Sequence, residues 1–172
     1  MDIDGYVACI CEGSAEQAIM EKLLEEEALI FSRDKLIDDK IIRCRNAKTF
    51  EKRHLRKGYD GSITVIRVLD SRRENFELSK AYAGKVEVIN IVTAPEIEIL
   101  IIIKENRYEE FKKMKKKPSE FCKGELCLKN VKNYNFIQEY FSNVDDLKKC
   151  IREYTRLTKR RTGEYTLSDL LK

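Results

Sequence analysis

The chain has a single histidine and no uninterrupted apolar run long enough to cross a bilayer. Its longest, Ile97 to Ile103, is already broken by Glu98 and falls far short of the roughly 20 residues that a spanning helix needs. The start reads Met-Asp-Ile-Asp, with no basic stretch before an apolar one, so no secretory leader is expected. Neither Gly-x-Gly-x-x-Gly nor Gly-Lys-Ser/Thr occurs, which removes the common glycine-rich phosphate cradles; any energy-using partner would be another chain. The six cysteines form no disulfide framework: Cys9 and Cys11 share one face of a strand, and Cys122-x4-Cys127 with Cys150 lacks paired zinc spacing. His54 lies in a basic helix, where nothing positions it with a cysteine nucleophile. Reduced thiols, together with no leader and no span, make the cytoplasm the expected location. There is no internal repeat, and the only biased segment is the lysine cluster Lys112 to Lys117.

What is present fits one domain. The 172 residues are 42% hydrophobic and 37% charged, enough for a core under a wet surface. The net charge of +4 does not by itself argue for nucleic acid. The charge is uneven, however: residues 104–161 hold seventeen basic and nine acidic side chains, so the rest of the chain is net acidic.

Tyr6 to Cys11 is a continuous apolar run and reads as a buried strand. It ends at Glu12-Gly13, and a helix follows with Ser14 as its expected N-cap, Gln17 three residues on, and apolar positions at Ala18, Ile19, Leu23 and Leu24. Ile41 to Cys44 is a second, short strand, followed by a helix from about Ala47 to Lys57. Ile63 to Leu69 is the clearest strand, dense in β-branched residues and ending on Asp70. A helix from about Asn75 to Tyr82 is expected next, then a strand from Val86 to Val92 and a helix opened by Pro95. Strands alternating with helices predict an α/β fold with a mostly parallel sheet. After Lys104 only helices are expected: about Tyr108 to Lys115, Ser119 to Gly124, Phe136 to Phe141 and Val144 to Leu157. The chain therefore divides into an α/β core over 1–105 and a basic helical extension, 106–172, packed on it.

Open parallel sheets bind ligands outside the carboxyl ends of their strands. Glu12 and Asp70 stand at two such ends, each followed by polar residues at a helix entrance: Gly13-Ser14-Ala15-Glu16 and Ser71-Arg72-Arg73-Glu74. Converging carboxylates suit Mg²⁺, which takes oxygen ligands and wants only one or two from the protein, the rest being water and substrate phosphates. The bland alternative is that both carboxylates only cap helices or face solvent.

The runs Cys11-Glu12-Gly13-Ser14-Ala15-Glu16 and Val68-Leu69-Asp70-Ser71-Arg72, with Thr93-Ala94-Pro95-Glu96-Ile97-Glu98 as a third, resemble the TOPRIM domain, most closely its compact versions in OLD-family and RloB-type phage-defence proteins. The resemblance covers roughly residues 4–103. It implies a TOPRIM-like parallel sheet and Mg²⁺- or Mn²⁺-dependent cleavage of DNA or RNA. It gives Glu12 the role of the first glutamate, near the scissile phosphate as acid/base or metal ligand. Asp70 takes the role of the first metal-binding aspartate, and Glu16 that of the second acidic residue of Glu-Gly-x-x-Glu. Where those proteins have a second aspartate, this chain has Arg72, followed by Arg73, and added cations repel a divalent ion. Either Glu74, Glu96 or Glu98 supplies the missing ligand while the arginines grip phosphate, or the site binds without cleaving.

On the last long helix, Lys148, Arg152 and Arg156, with Lys159 and Arg160 beyond, recur at four-residue steps and form a cationic stripe. Such a stripe attracts nucleic-acid phosphates or is an ordinary solvated face. Two classes of function follow: a Mg²⁺-dependent nuclease, or a degenerate module that binds nucleic acid, a protein partner or a second copy of itself. A doubly wound domain for a small phosphorylated ligand is a third. No membrane partner is expected.

Overall fold

The computed structural model describes residues 3–73 and 75–172. Its centre is an all-parallel four-stranded sheet, β1 (Tyr6–Cys11), β2 (Ile42–Arg43), β3 (Ile63–Leu69) and β4 (Val86–Val92), in the order β2-β1-β3-β4. The α/β class read from the sequence holds. Every residue of β3 is buried, as befits a central strand covered on both faces. The period of two divides the strands between two cores. Val7, Cys9, Cys11, Ile66, Val68, Ile89 and Ile91 point into one, while Ala8, Ile10, Ile63, Val65 and Val86 point into the other.

Among the described residues seven α-helices surround the sheet: α1 (Ser14–Glu25), α2 (Ala47–His54), α3 (Ile99–Lys104), α4 (Tyr108–Lys113), α5 (Pro118–Gly124), α6 (Tyr134–Tyr140) and α7 (Val144–Leu157). The larger core unites α1 and α3 with Phe111, Phe121, Ile137, Phe141, Leu147, Ile151 and Tyr154 of the later helices. The smaller one lies under α2, where Phe50 is fully buried. In α3, Ile99, Leu100, Ile101, Ile102 and Ile103 are all buried. β-Branched residues lose up to about 0.7 kcal/mol each in a helix, whereas burying each side chain is worth about 1.5–3 kcal/mol, so burial decides. No helix among the described residues is long and apolar enough to cross a membrane.

Three local expectations are corrected. The segment after β3 is not a helix: residues 75–79 are irregular and a turn follows. Phe76 and Leu78 both face the smaller core, Phe76 lying 5.9 Å from Phe50 ring to ring, and the Ser79 N–H donates to Glu51 Oε1 at 2.5 Å. Two residues separated by one can reach the same surface only in an extended chain, so tertiary packing overrides the helical pattern. The cap of α1 is Gly13, not Ser14, and makes no side-chain cap bond. Pro95 does not open α3, which begins at Ile99 after tight turn bonds from Ile99 N to Glu96 O and Leu100 N to Ile97 O.

The C-terminal segment straps this architecture together. Val92 N donates to Tyr165 O at 2.9 Å on the outer edge of β4, and Ile30 N donates to Leu170 O at 2.9 Å beyond α1. The Arg72 guanidinium makes a two-pronged bond to Glu164, at 2.6 and 3.3 Å, tying the loop after β3 to the strap.

Candidate functional site

In the order β2-β1-β3-β4, the chain steps one way from β1 to β2 and the other way from β3 to β4. The reversal opens a crevice at the carboxyl ends of β1 and β3, where ligands of open α/β sheets bind. Cys11 lies level with Val68 in the parallel register, so Glu12 follows β1 level with Leu69 and Asp70 stands one residue further along the neighbouring strand end. Together with Glu16, Glu98, Arg45 and Lys132 they line one cavity of about 350 Å³.

Each side chain has a local cause. Glu12 is held by Arg67, whose Nη2 donates to Glu12 Oε1 at 3.3 Å, and it faces Arg45 Nε at 3.6 Å. Glu16, in the first turn of α1, folds back over Gly13, so closely that a Cβ at position 13 would collide with its carboxylate. The backbone angles do not call for glycine, since its φ is −110°, and a side chain at position 13 would be accommodated by displacing the Glu16 carboxylate. Glu98 lies just before α3 and is only 3% exposed. Lys132 reaches in from the segment between α5 and α6 and pairs with Glu96 at 2.9 Å. Glu96 also accepts from the Ser119 N–H at 2.9 Å.

Burial is the main cause that pushes the Glu98 carboxyl up to about 7, with the nearby Glu96 and Glu16 carboxylates adding to it. Burial likewise raises Glu16, helped by Asp70 and Glu12. For Glu96, burial is outweighed by Lys132 and Ser119, which hold it below the usual carboxylate range. The cavity thus sets a carboxyl raised to about 7 among other acidic side chains, with Arg45 and Lys132 also in its lining.

Comparison with protein-family models, with curated proteins and with solved structures returns no match. The site therefore rests on its own geometry. Of the residues singled out from sequence, the fold gathers Glu12, Glu16 and Asp70 in one cavity and adds Glu98; Glu96 turns to Lys132 and Ser119. Glu74 lies outside the described residues. Among the described residues no three His, Cys, Asp or Glu side chains are close enough together to hold a metal ion. Arg72 turns to Glu164 and does not line the cavity, and neither does Arg73; both border a neighbouring hollow that shares Asp70. Lys148, Arg152 and Arg156 stay on the outer side of α7, away from the cavity lining. There Lys148 pairs with Asp145 at 2.8 Å and Arg156 with Glu153 at 2.6 Å.

Sequence reasoning missed Arg67, Arg45 and Lys132. The signal for Arg67 was present: one charge inside the otherwise apolar run of β3, 1% exposed, must have partners to be tolerated. It finds Glu12, Asn90 at 3.3 Å, and the Phe76 ring 4.4 Å away. Arg45 follows the end of β2, a position that could have been read as Glu12 and Asp70 were. Lys132 had no signal of its own among the lysines around it.

Proposed function

We propose that the chain is a divalent-metal-dependent phosphodiesterase acting on nucleic acid, of the TOPRIM type its motifs resemble. The observation that carries this reading is the gathering of Glu12, Glu16, Asp70 and Glu98 around one cavity at the reversal of strand order. Burial raises the Glu16 and Glu98 carboxyls and neighbouring carboxylates add to it, and hard oxygen donors of this kind are what Mg²⁺ or Mn²⁺ takes. Mg²⁺ takes only one or two protein carboxylates, so Glu12 and Asp70 would hold it, with Glu16 alongside. When bound, the ion supplies a Lewis acid for a phosphate oxygen and a water acidic enough to serve as nucleophile.

The chain's own groups do the rest. The buried Arg67, itself braced by Asn90, orients the Glu12 carboxylate. Arg45 and Lys132 bring positive charge to the cavity, where it stabilises a phosphodiester in transit. Glu98, near 7, exchanges a proton in the neutral range, the condition for general acid–base work. Arg72 does not oppose the ion, because its charge is spent on Glu164.

Cleavage of end-labelled DNA and RNA with Mg²⁺, with Mn²⁺ and with EDTA tests the reading. Activity is expected only with a divalent ion, and Glu12→Gln and Asp70→Asn should each lower it by about 100-fold or more. A folded Asp70→Asn protein that cleaves at the wild-type rate refutes it. One observation favours a second reading, binding without chemistry: no three ligating side chains are close enough together among the described residues. In that case oligonucleotide binding survives Asp70→Asn and no divalent ion supports cleavage.

A further inference from the structure

We propose that a groove for single-stranded nucleic acid runs beside the carboxylate cavity, with Arg73, Lys117 and Arg161 gripping the backbone and Tyr165 stacking on a base. The inference rests on the nucleic-acid reading above and adds the form of the strand and its path to the cavity. It does not depend on cleavage.

The first support is continuity. A hollow of about 420 Å³ is bordered by Arg72, Arg73, Lys117 and Arg161, with Asp70 and Glu96 at the side of the cavity. Asp70 lines both spaces, so a strand lying in the hollow ends at the proposed metal ligands.

The second is uncompensated charge. Three neighbouring basic side chains are paired: Lys116 with Glu125 at 2.6 Å, Arg160 with Asp169 at 2.6 Å, and Arg72 with Glu164 at 2.6 Å. Arg73, Lys117 and Arg161 have no ion-pair partner among the described residues, although they come from three distant parts of the chain. Glu96 in the same hollow is itself neutralised by Lys132. Three like charges brought together by folding, none of them in an ion pair and with Asp70 the one acid of the hollow that has no ion-pair partner among the described residues, suit a polyanion that bridges them.

The third is Tyr165, the one large apolar side chain left exposed among the described residues, at 40%. It lines a second hollow that shares Arg72 and Arg161 with the first. Its backbone is fixed while its ring is free. Tyr165 O accepts from Val92 N at 2.9 Å, the preceding Glu164 O accepts from Arg160 Nη2 at 2.9 Å, and the following Thr166 N–H donates to Asp169 Oδ2 at 2.7 Å. A rigid aromatic beside a cationic track is the combination that holds single strands, because an unpaired base offers its face while a duplex keeps its bases stacked inside.

Fluorescence anisotropy with labelled oligonucleotides of about 12 nucleotides, single-stranded and duplex, in EDTA so that no cleavage intervenes, tests the inference. Single strands should bind more tightly than duplex. The triple variant Arg73→Ala/Lys117→Ala/Arg161→Ala should reduce the steepness of the log affinity against log salt plot by about 2, since each single-strand phosphate contact contributes about 0.7. Tyr165→Ala should weaken binding by about fivefold or more, while Tyr165→Phe keeps it. Removing the same charge from α2 with Lys48→Ala/Lys52→Ala/Arg53→Ala should leave the slope intact. A melting curve checks the triple variant's fold, and the charge-keeping Lys117→Arg/Arg161→Lys protein should bind like the wild type. Binding as expected with no divalent-dependent cleavage upholds the groove and refutes the catalytic reading. Unchanged binding in both the triple variant and Tyr165→Ala, tighter binding of duplex, or no binding by the wild type overturns the groove.

Discussion

Replacing Glu98 with glutamine should make the protein more stable in alkaline solution and leave it unchanged in acid. Glu98 is 3% exposed and its carboxyl is raised from 4.5 to about 7, chiefly by burial. The folded state therefore holds a proton that the unfolded chain gives up, so the sign is the reverse of the usual one for a carboxylate. The contribution of Glu98 to stability is greatest below about pH 4.5 and is lost as the pH rises through about 7. The gap between 4.5 and about 7 corresponds to about 3.5 kcal/mol, at about 1.4 kcal/mol per pH unit. Glutamine keeps the shape and has no charge to bury, so Glu98→Gln should recover up to that amount at pH 8.5 and almost nothing at pH 4.5. For a chain of this length 1 kcal/mol moves the melting temperature by about 2–4 °C, so the gain at high pH is about 7–14 °C. Urea unfolding of both proteins at the two pH values, in EDTA, isolates Glu98, because the other shifted groups are common to both. An equal difference at the two pH values, or none at pH 8.5, would refute the burial argument.

Arg67→Met should destabilise the fold by about 3–5 kcal/mol in urea unfolding, because it removes the cation that accompanies the Glu12 carboxylate. Adding Glu12→Gln should return part of the loss, and a double variant no better than Arg67→Met would place the cost in packing against Phe76. Asn143, whose side chain caps α7 by accepting from the Asp145 and Asp146 N–H groups at 2.8 and 3.4 Å, should cost about 1 kcal/mol when replaced by alanine. That is a fall of about 2–4 °C in a thermal melt, with no change in oligonucleotide binding.

The sheet was legible because each strand is a short apolar run with a strong local signal, and the parallel arrangement follows from the helices between the first three. The segment after β3 was not, because Phe76 packs on Phe50 across the chain and Leu78 on the same core, a partnership set by distant residues and not by the segment's own pattern. Asp70 and Glu12 could be picked out since strand ends are where side chains reach a shared crevice. Glu98 could only be offered as one of several alternatives, as its burial comes from how the turn before α3 docks. The stripe on α7 shows the limit of periodicity. Four-residue spacing found the exposed face correctly, but could not reveal that Asp145 and Glu153 take up the charge of Lys148 and Arg156.

The ion pairs sort the acidic groups around the cavity into two sets. Glu12 has Arg67 and Arg45, and Glu96 has Lys132. Asp70, Glu16 and Glu98 have no ion-pair partner among the described residues, although Asp70 and Glu16 act on one another, as do Glu16 and Glu98. Two unit charges about 4 Å apart repel by about 4 kcal/mol at the effective dielectric near a protein surface, so a proton on Glu98 relieves the strain when no other positive charge is near. Asp70 also borders the hollow with Arg73, Lys117 and Arg161, where its charge is unfavourable to any phosphate that those three would hold. A carboxylate cavity and a cationic hollow serve one polyanion more readily when a cation stands at their shared boundary. A metal ion at Asp70 would let the strand cross into the cavity for cleavage, whereas Arg73, Lys117 and Arg161 would hold it in the hollow without the ion.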